Sequence, residues 1–276
     1  MPKVGFGLEQ YFRFVDAPDS YRTPDPDGTI FAQNVAAQIK AHEAAGTGFA
    51  ALLICPYFLN EGFPDNPDGW LKPTADVVRK AGGLLICDEV QSGFGRVGTH
   101  MWAHEKMGVT PDIVTLGKPM ANGHPVGGVV TNTDIIARFR EGYRYFNTFG
   151  GNPVSCAAAM AVLEEMHAEN LMENADTVGT YARARLTKLQ DKHEIIGDIR
   201  GSGLVFGAEL VLDRETKAPA SDFTDKIINA MRHRGIILSK LGRHKNTLKI
   251  RPPMPFSIDN ADLLFDTLDD VLTQAL

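Results

Sequence analysis

Cysteine is scarce in this chain, with three residues among 276, Cys55, Cys87 and Cys156. They lie far apart, none forms a Cys-x-x-Cys pair, and each has apolar or small neighbours. A disulfide framework and a cysteine-rich zinc site are therefore excluded, and we expect no bound metal. The three thiols are expected to be buried and reduced, which predicts a cytoplasmic location.

Long apolar runs and clusters of positive charge are also missing. No uninterrupted apolar run approaches membrane-spanning length, and Met1–Gly7 lacks the apolar stretch of an export signal, so neither insertion nor export is expected. The 28 Lys and Arg are scattered among 34 Asp and Glu, giving a formal charge of −6. This charge pattern disfavours a nucleic-acid surface, because backbone binding needs clustered cations.

The composition is that of an ordinary globular protein, with 43% hydrophobic and 22% charged residues. The first 28 residues, rich in Pro, Asp and Gly, are predicted to be irregular. Beyond them, short apolar runs alternate with helical periodicity, which predicts an α/β fold with a mainly parallel sheet. The predicted strands of this sheet are 49–54, 84–87, 112–116 and 125–131, and the predicted helices are 31–45, 70–81 and 134–140. The first strand is expected to be buried on both faces.

The last part of the chain has a different pattern. Helical periodicity over 154–166 continues after a break through residue 189, and the elements that follow mix both types. Strands are predicted at 201–210 and 248–251, and helices at 222–235 and 259–276. A domain boundary near 165 is expected, which separates a partial large domain (1–165) from an α+β C-terminal small domain (166–276).

Two residues capable of chemistry follow predicted strands. Asp88 closes the run Leu84–Cys87, and Lys118 stands in the glycine-bounded turn after the run 112–116. Ligands collect at the carboxyl ends of parallel strands, so both residues are expected at one site. We expect Lys118 to be tucked at its strand end, where desolvation keeps an amine nucleophilic. The alternatives are a solvated lysine and a turn-forming aspartate.

A lysine amine and a buried carboxylate are what pyridoxal 5'-phosphate chemistry requires of a protein. The segment Asp88-Glu89-Val90-Gln91-Ser92-Gly93-Phe94-Gly95-Arg96, with Gly117-Lys118 downstream, resembles the signature of the class III aminotransferases. These are pyridoxal phosphate enzymes of fold type I. The resemblance implies that fold, a transaminase activity, and a small-molecule amino donor with a keto acid or aldehyde as acceptor.

The resemblance also assigns roles to residues of this segment. Asp88 would bond to the pyridinium nitrogen, and Val90 would pack on a face of the ring. Gln91 would approach the phenolic oxygen of the cofactor, and Lys118 would be the Schiff-base partner and the proton shuttle. For Val90, plain packing in the core is the alternative.

Two further segments resemble parts of the same family. The loop 147–153 is similar to the one whose threonine, here Thr148, reaches the cofactor phosphate of the neighbouring subunit, which implies a homodimer. The strand 248–251 is similar to one whose arginine, here Arg251, grips the substrate carboxylate. The alternative for the loop of Thr148 is an ordinary polar turn. The alternative for Arg251 is an exposed residue that forms an ion pair.

The resemblance covers the later part of the family's large domain and the small domain. No Ser-Gly-Ser-Glu-Ala-Asn-like helix start and no ring-stacking aromatic are recognised, so we expect a fragment that binds the cofactor weakly. Two alternatives to transamination stay open. The stretch 117–125 looks like that of the family's ammonia-phospho-lyases, and a catalytically silent remnant could serve as a dimerisation module.

Overall fold

The computed structural model describes residues 8–275 and contains two β-sheets, each packed against helices. Of the predicted irregular N-terminal region, residues 1–7 lie outside the described part. The rest holds only the 3-10 turn Glu9–Tyr11 and an isolated bridge between Asp19 and Thr23. No helix within 8–275 is both long and apolar enough to cross a membrane.

The first sheet has the order β1-β2-β3-β4, with β1, β2 and β3 parallel and β4 antiparallel to β3. Its strands are β1 (Ala51–Ile54), β2 (Leu84–Asp88), β3 (Ile113–Leu116) and β4 (Gly128–Thr131). The helices in this part are α1 (Thr29–Ala44), α2 (Lys72–Lys80), α3 (Ala103–Lys106), α4 (Thr133–Gly142) and α5 (Pro153–Ala168). The predicted mainly parallel arrangement is therefore present.

The start of α1 shows how side chains set a helix boundary. The Asp25 carboxylate accepts hydrogen bonds from the backbone nitrogens of Ile30 (3.2 Å) and Phe31 (2.9 Å), which satisfies two free amides of the first turn. Gly28 precedes the helix with φ 77°, and a Cβ there would lie 2.1 Å from the carbonyl oxygen of Trp70. Only glycine fits this position, because both the conformation and the space exclude a side chain.

The second sheet is antiparallel, with the order β5-β6-β9-β8 and with β7 paired to β6. Its strands are β5 (Ile196–Ser202), β6 (Val205–Asp213), β7 (Ala218–Pro219), β8 (Ser239–Leu241) and β9 (Thr247–Ile250). Helices α6 (Leu171–Lys192), α7 (Ser221–His233) and α8 (Ile258–Ala275) pack against it around Phe206 and Phe265, whose ring centroids lie 6.4 Å apart.

Three expectations from the sequence about the strands and the cysteines are wrong. The segment 201–210 is two strands, because the chain reverses at Gly203 (φ 50°) and Leu204 to form a hairpin. Strand β1 is not buried on both faces, since it is an edge strand among the described residues and Leu53 is 63% exposed. The cysteines are free, but only Cys87 is buried, while Cys55 is half-buried and Cys156 in α5 is exposed. The boundary near 165 falls inside α5 and stays a prediction.

Two loops at the carboxyl edge of the first sheet attach to the second sheet. In the loop after β1, the Gly62 carbonyl accepts a hydrogen bond of 2.9 Å from Arg200 on β5. In the loop after β2, the Val97 carbonyl accepts from Ser202 (2.8 Å) and the Arg96 carbonyl accepts from the Leu204 nitrogen (3.1 Å). The second sheet is thus held against the edge where ligands of parallel sheets bind.

Candidate active site

Asp88 and Thr115 are register partners at the carboxyl ends of β2 and β3. The Thr115 hydroxyl donates to Asp88 Oδ1 at 3.3 Å, and the backbone nitrogen of Val90 donates to the same oxygen at 3.0 Å. Asp88 Oδ2 receives no hydrogen bond from any residue in 8–275. The half-buried carboxylate therefore forms the expected turn and keeps one oxygen available for another donor.

The segment after Asp88 is anchored by a buried carboxylate that sequence reasoning left unassigned. Glu89 is fully buried, and its Oε2 accepts from the Ser92 hydroxyl at 2.5 Å. Its Oε1 accepts from the backbone nitrogen of His104 at 2.8 Å and from the ring Nδ1 at 2.9 Å. These bonds tie the turn that carries Asp88 and Val90 to the start of α3. Burial of an acid inside a glycine-rich turn gives no periodic signal in the sequence.

Lys118 begins a 3-10 turn, Lys118–Ala121, directly after β3. Its φ of 29° lies in the left-handed region, which a lysine rarely adopts and which is a feature of functional sites. The expectation that Lys118 is tucked away is wrong for this chain, because the turn leaves its side chain exposed at the sheet edge. The amine is consequently accessible to a ligand.

Val90 lies between the two elements that carry Asp88 and Lys118. A Cβ built on Gly117 would meet the Val90 methyl carbons at 3.5 and 3.6 Å, so the side chain of Val90 packs against the residue next to Lys118. Val90 is only partly buried, which leaves part of its apolar surface open at the edge. Packing in the core and contact with a planar ring are therefore compatible for this residue.

Gln91 joins the two sheets through its side-chain amide. Its Nε2 donates to Asn60 Oδ1 at 3.3 Å, and its Oε1 accepts from the Arg251 guanidinium and from Lys249 Nζ at 3.5 Å. Lys249 Nζ also donates to Asn60 Oδ1 at 3.4 Å. Asn60 and Lys249 were missed in the sequence, although Lys249 stands between two core residues of a strand and so must face away from that core.

Burial and neighbouring charge lower the pKa of two cations at this edge. Burial, followed by the charges of Arg251 and Lys118, lowers the pKa of the Lys249 amine, while Glu61 acts in the opposite direction. Burial, with a contribution from Arg251, lowers the pKa of the Arg96 guanidinium to about 10. Arg96 donates to the carbonyls of Leu204 (3.3 Å) and Pro252. Positive charge is thus concentrated around Gln91 and Lys118.

Thr148 is not brought to this cluster within one chain. It lies in the exposed segment 143–151, and its hydroxyl makes no hydrogen bond with any residue in 8–275. The loop is shaped by Asn147, whose Oδ1 accepts from the backbone nitrogens of Phe149 (3.2 Å) and Gly150 (3.0 Å). The large apolar side chains Phe146 and Phe149 are 85% and 80% exposed. Contact of Thr148 with a neighbouring subunit stays a prediction.

The residues present fit pyridoxal phosphate. Asp88 offers an unpartnered carboxylate oxygen, Val90 an apolar surface and Lys118 an exposed primary amine, all at one sheet edge. Such a set can keep a ring nitrogen protonated, flank a planar ring and bind an aldehyde. Arg251 is exposed beside Gln91, where it can meet a substrate anion.

Comparisons with known proteins identify one family. The family model described as "Aminotransferase class-III" matches residues 7–272. A phospholyase from Arthrobacter, solved in complex with phosphoethanolamine, is 42% identical and superposes with a TM-score of 0.89 over 95% of this chain and 63% of its own. An aminotransferase from Bacillus anthracis is 31% identical, with a TM-score of 0.86 over 96% of this chain and 63% of its own.

Two curated relatives carry the same two activities in their names. Alanine–glyoxylate aminotransferase 2 homolog 2, mitochondrial, of Arabidopsis thaliana is 44% identical over 91% of this chain and 52% of its own length. Ethanolamine-phosphate phospho-lyase homolog 1 of Caenorhabditis elegans is 47% identical over 75% of this chain and 45% of its own length. The chain spans about half the length of the curated relatives it matches.

Proposed function

Because the chain belongs to the class-III aminotransferase family, pyridoxal phosphate enzymes of fold type I, we propose that it holds the catalytic lysine of a transaminase. The substrates would be an amino donor and a keto acid or aldehyde. The observation that carries this proposal is the pairing of Asp88 with Thr115, which puts the carboxylate at the same sheet edge as Lys118, three positions beyond Thr115.

When bound, pyridoxal phosphate supplies the electron sink for the substrate's reacting carbon. Asp88 is fixed through Oδ1, and its Oδ2 would accept a hydrogen bond from the protonated ring nitrogen. This bond would keep that nitrogen charged. Val90 would pack on the ring, and Gln91 would approach the phenolic oxygen. Lys118 Nζ would hold the aldehyde carbon before reaction and then move a proton from the substrate α-carbon.

We assign substrate recognition to Arg251. We assign the contact between two subunits to the segment 143–151. The Arg251 guanidinium is suited to planar contact with a carboxylate. The exposed Phe146 and Phe149 support burial of that segment against a second copy, in which Thr148 would reach the neighbouring cofactor phosphate. The proposed unit is therefore a homodimer.

The free cysteines support a cytoplasmic location, which fractionation of the source cells tests.

A second candidate function is an ammonia-phospho-lyase, which eliminates ammonia and phosphate from a phosphorylated amino alcohol. Two observations favour it: the resemblance of residues 117–125 to that group, and the Arthrobacter neighbour solved with phosphoethanolamine. The two activities differ in their products. Release of inorganic phosphate from phosphoethanolamine without a keto acid would favour the lyase, whereas exchange of an amino group between alanine and glyoxylate would favour the transaminase.

The chemical proposal is tested by Lys118→Ala in purified protein supplied with pyridoxal phosphate. Loss of both reactions with an unchanged fold supports catalysis by this lysine. The contrary possibility is a silent dimerisation module, in which neither reaction occurs in the unsubstituted protein and the substitution leaves self-association unchanged.

A further inference from the structure

The chain between Lys118 and β4 is a succession of tight turns that leads to His124. The His124 nitrogen donates to the Ala121 carbonyl at 3.0 Å, which closes the last of these turns. Lys118 and Asn122 have left-handed backbones, with φ of 29° and 45°. Such conformations cost energy in residues that carry a side chain, and they persist only where the surrounding structure holds them. The turn that carries Lys118 therefore needs an anchor outside itself.

The side chain of His124 supplies such an anchor. Its Nε2 lies 2.8 Å from the hydroxyl oxygen of Ser155, in the first turn of α5. Ser155 is 4% exposed and is the single buried residue among those that the structure describes in α5. A buried hydroxyl requires hydrogen-bond partners, and the partly buried ring of His124 is one of them.

The second partner of the Ser155 hydroxyl is Asn152, the N-cap residue of α5. Asn152 Oδ1 accepts from the Ser155 backbone nitrogen at 2.9 Å. Its Nδ2 donates to the Ser155 hydroxyl oxygen at 2.9 Å and to the Phe149 carbonyl at 2.8 Å. The hydroxyl keeps its own proton and one lone pair for His124 Nε2, so either tautomer of the ring completes the bond. The anchor of His124 thus extends to Phe149, the neighbour of Thr148.

We propose that His124 is a positioning residue for Lys118, which fixes the turn of the lysine to the cap of α5 and to the loop of Thr148. On the other side of the lysine, Gly117 lies against Val90, so the turn is held at both ends. Loss of the His124 bond would free the end after Lys118 and let the amine leave its place beside Asp88. This role rests on the proposed function, because it acts through the lysine that both candidate reactions share.

Four variants separate the bond from its surroundings. His124→Phe keeps a ring and removes both nitrogens, and Ser155→Ala removes the other half of the bond. His124→Gln keeps a polar end that can reach the hydroxyl. His42→Phe is the matched control, because His42 Nδ1 lies 3.0 Å from the Thr47 hydroxyl at the end of α1 and so loses the same kind of bond elsewhere.

Hydrogen exchange of the cofactor-free protein, followed by mass spectrometry, tests the anchor without any reaction. We expect His124→Phe and Ser155→Ala each to speed exchange about tenfold in peptides that cover 118–124 and 149–155, the range of one lost buried hydrogen bond. The double variant should be no faster than either single variant, because both remove one interaction. His124→Gln should stay within about threefold of the unsubstituted protein.

Two results of the exchange experiment would overturn the anchor. One is unchanged exchange of both segments in His124→Phe and in Ser155→Ala. The other is equally fast exchange of these segments in His42→Phe, because the effect would then be a general loss of stability. Melting curves of all variants accompany the measurement, and His42→Phe should lose about as much stability as His124→Phe.

The reactivity of Lys118 separates positioning from a merely structural role. The rate at which borohydride traps pyridoxal phosphate on Lys118 should fall about tenfold in His124→Phe. It should stay within about threefold of the unsubstituted rate in His124→Gln and His42→Phe. In turnover, His124→Phe should lower kcat about tenfold and leave KM within about threefold, since no residue proposed to contact substrate is changed. Equal trapping rates in His124→Phe and His42→Phe would overturn the positioning role.

The proposed function fails on a different observation. Absence of both labelling and turnover in the unsubstituted protein would contradict the chemistry assigned to Lys118. The exchange of segments 118–124 and 149–155 would still decide whether His124 anchors the turn, because that measurement uses the cofactor-free protein.

Discussion

The Thr115 hydroxyl on β3 donates to Asp88 Oδ1 on β2 at 3.3 Å, where the two parallel strands end side by side. This contact and the backbone bond from Val90 fix one carboxylate oxygen and leave the other without a described partner. The proposed chemistry depends on that second oxygen.

Asp88→Asn should lower kcat/KM by about 10²-fold or more, because an amide cannot stabilise a charged ring nitrogen as a carboxylate does. The fold should survive, since the Asn oxygen can still accept from Val90. Thr115→Val is the matched control and should cost about 1 kcal/mol of stability with a small change in rate. Steady-state kinetics and melting curves measure both effects. A rate in Asp88→Asn equal to that of Thr115→Val would contradict the assignment.

Glu89→Gln should reduce the free energy of unfolding by about 1–3 kcal/mol, the cost of disturbing a buried hydrogen-bond network. The variant keeps the shape of the residue but replaces one acceptor of the Ser92 and His104 donors with an amide nitrogen. Urea denaturation measures the change. Glu194→Gln, at a side chain 87% exposed, should shift stability by less than about 0.5 kcal/mol. Similar losses in both variants would mean that the buried network does not anchor the turn.

Glu209→Gln should be destabilising near neutral pH and much less so in acid. Burial opposes ionisation of Glu209, but Arg200 and Arg22 outweigh it and lower the pKa of its carboxyl below 4.5. A carboxyl with a lowered folded-state pKa contributes stability above its unfolded pKa and loses that contribution as pH falls through the folded value. We expect a loss of about 2 kcal/mol at pH 7, measured by denaturation. The difference between variant and unsubstituted protein should shrink below pH 4.5; a constant difference would refute the ion-pair account.

Mixed dimers test whether Thr148 serves the neighbouring subunit. Thr148→Ala and Lys118→Ala should each lose activity, and an equal mixture, dissociated and reassembled, should recover about a quarter of the unsubstituted activity. Half of the dimers would be mixed, and each would hold one site with both residues intact. Kinetics after reassembly measures this recovery. Activity no higher than the mean of the two separate variants would show that Thr148 does not act across the interface.

The strands that carry Asp88 and Lys118 could be predicted from the sequence, because each is a short apolar run that ends in a polar or glycine-bounded turn. The motif 88–96 carried the family and the fold type, and both are confirmed. The assigned roles of all the site residues stay predictions, namely Asp88, Val90, Gln91, Lys118, Thr148 and Arg251.

Other features depended on contacts that are distant in sequence. Asn60 and Lys249 meet only because the second sheet docks on the loop after β1, across 189 positions of chain. The sequence predicts one strand over 201–210 and misses most of β5, because Val205–Val211 is buried throughout and no alternation marks the register of the hairpin. The exposure of Lys118 follows from its left-handed backbone, which apolar periodicity does not encode.

The identity of the catalytic lysine is tested most directly by chemical trapping. Purified protein would be incubated with pyridoxal phosphate, reduced with borohydride, digested and analysed by peptide mass spectrometry, alongside Lys118→Ala. We expect the reduced cofactor on the peptide that contains Lys118, and no label at stoichiometric yield in the variant. Stoichiometric labelling of another lysine, such as Lys249, or no labelling of the unsubstituted protein, would contradict the account.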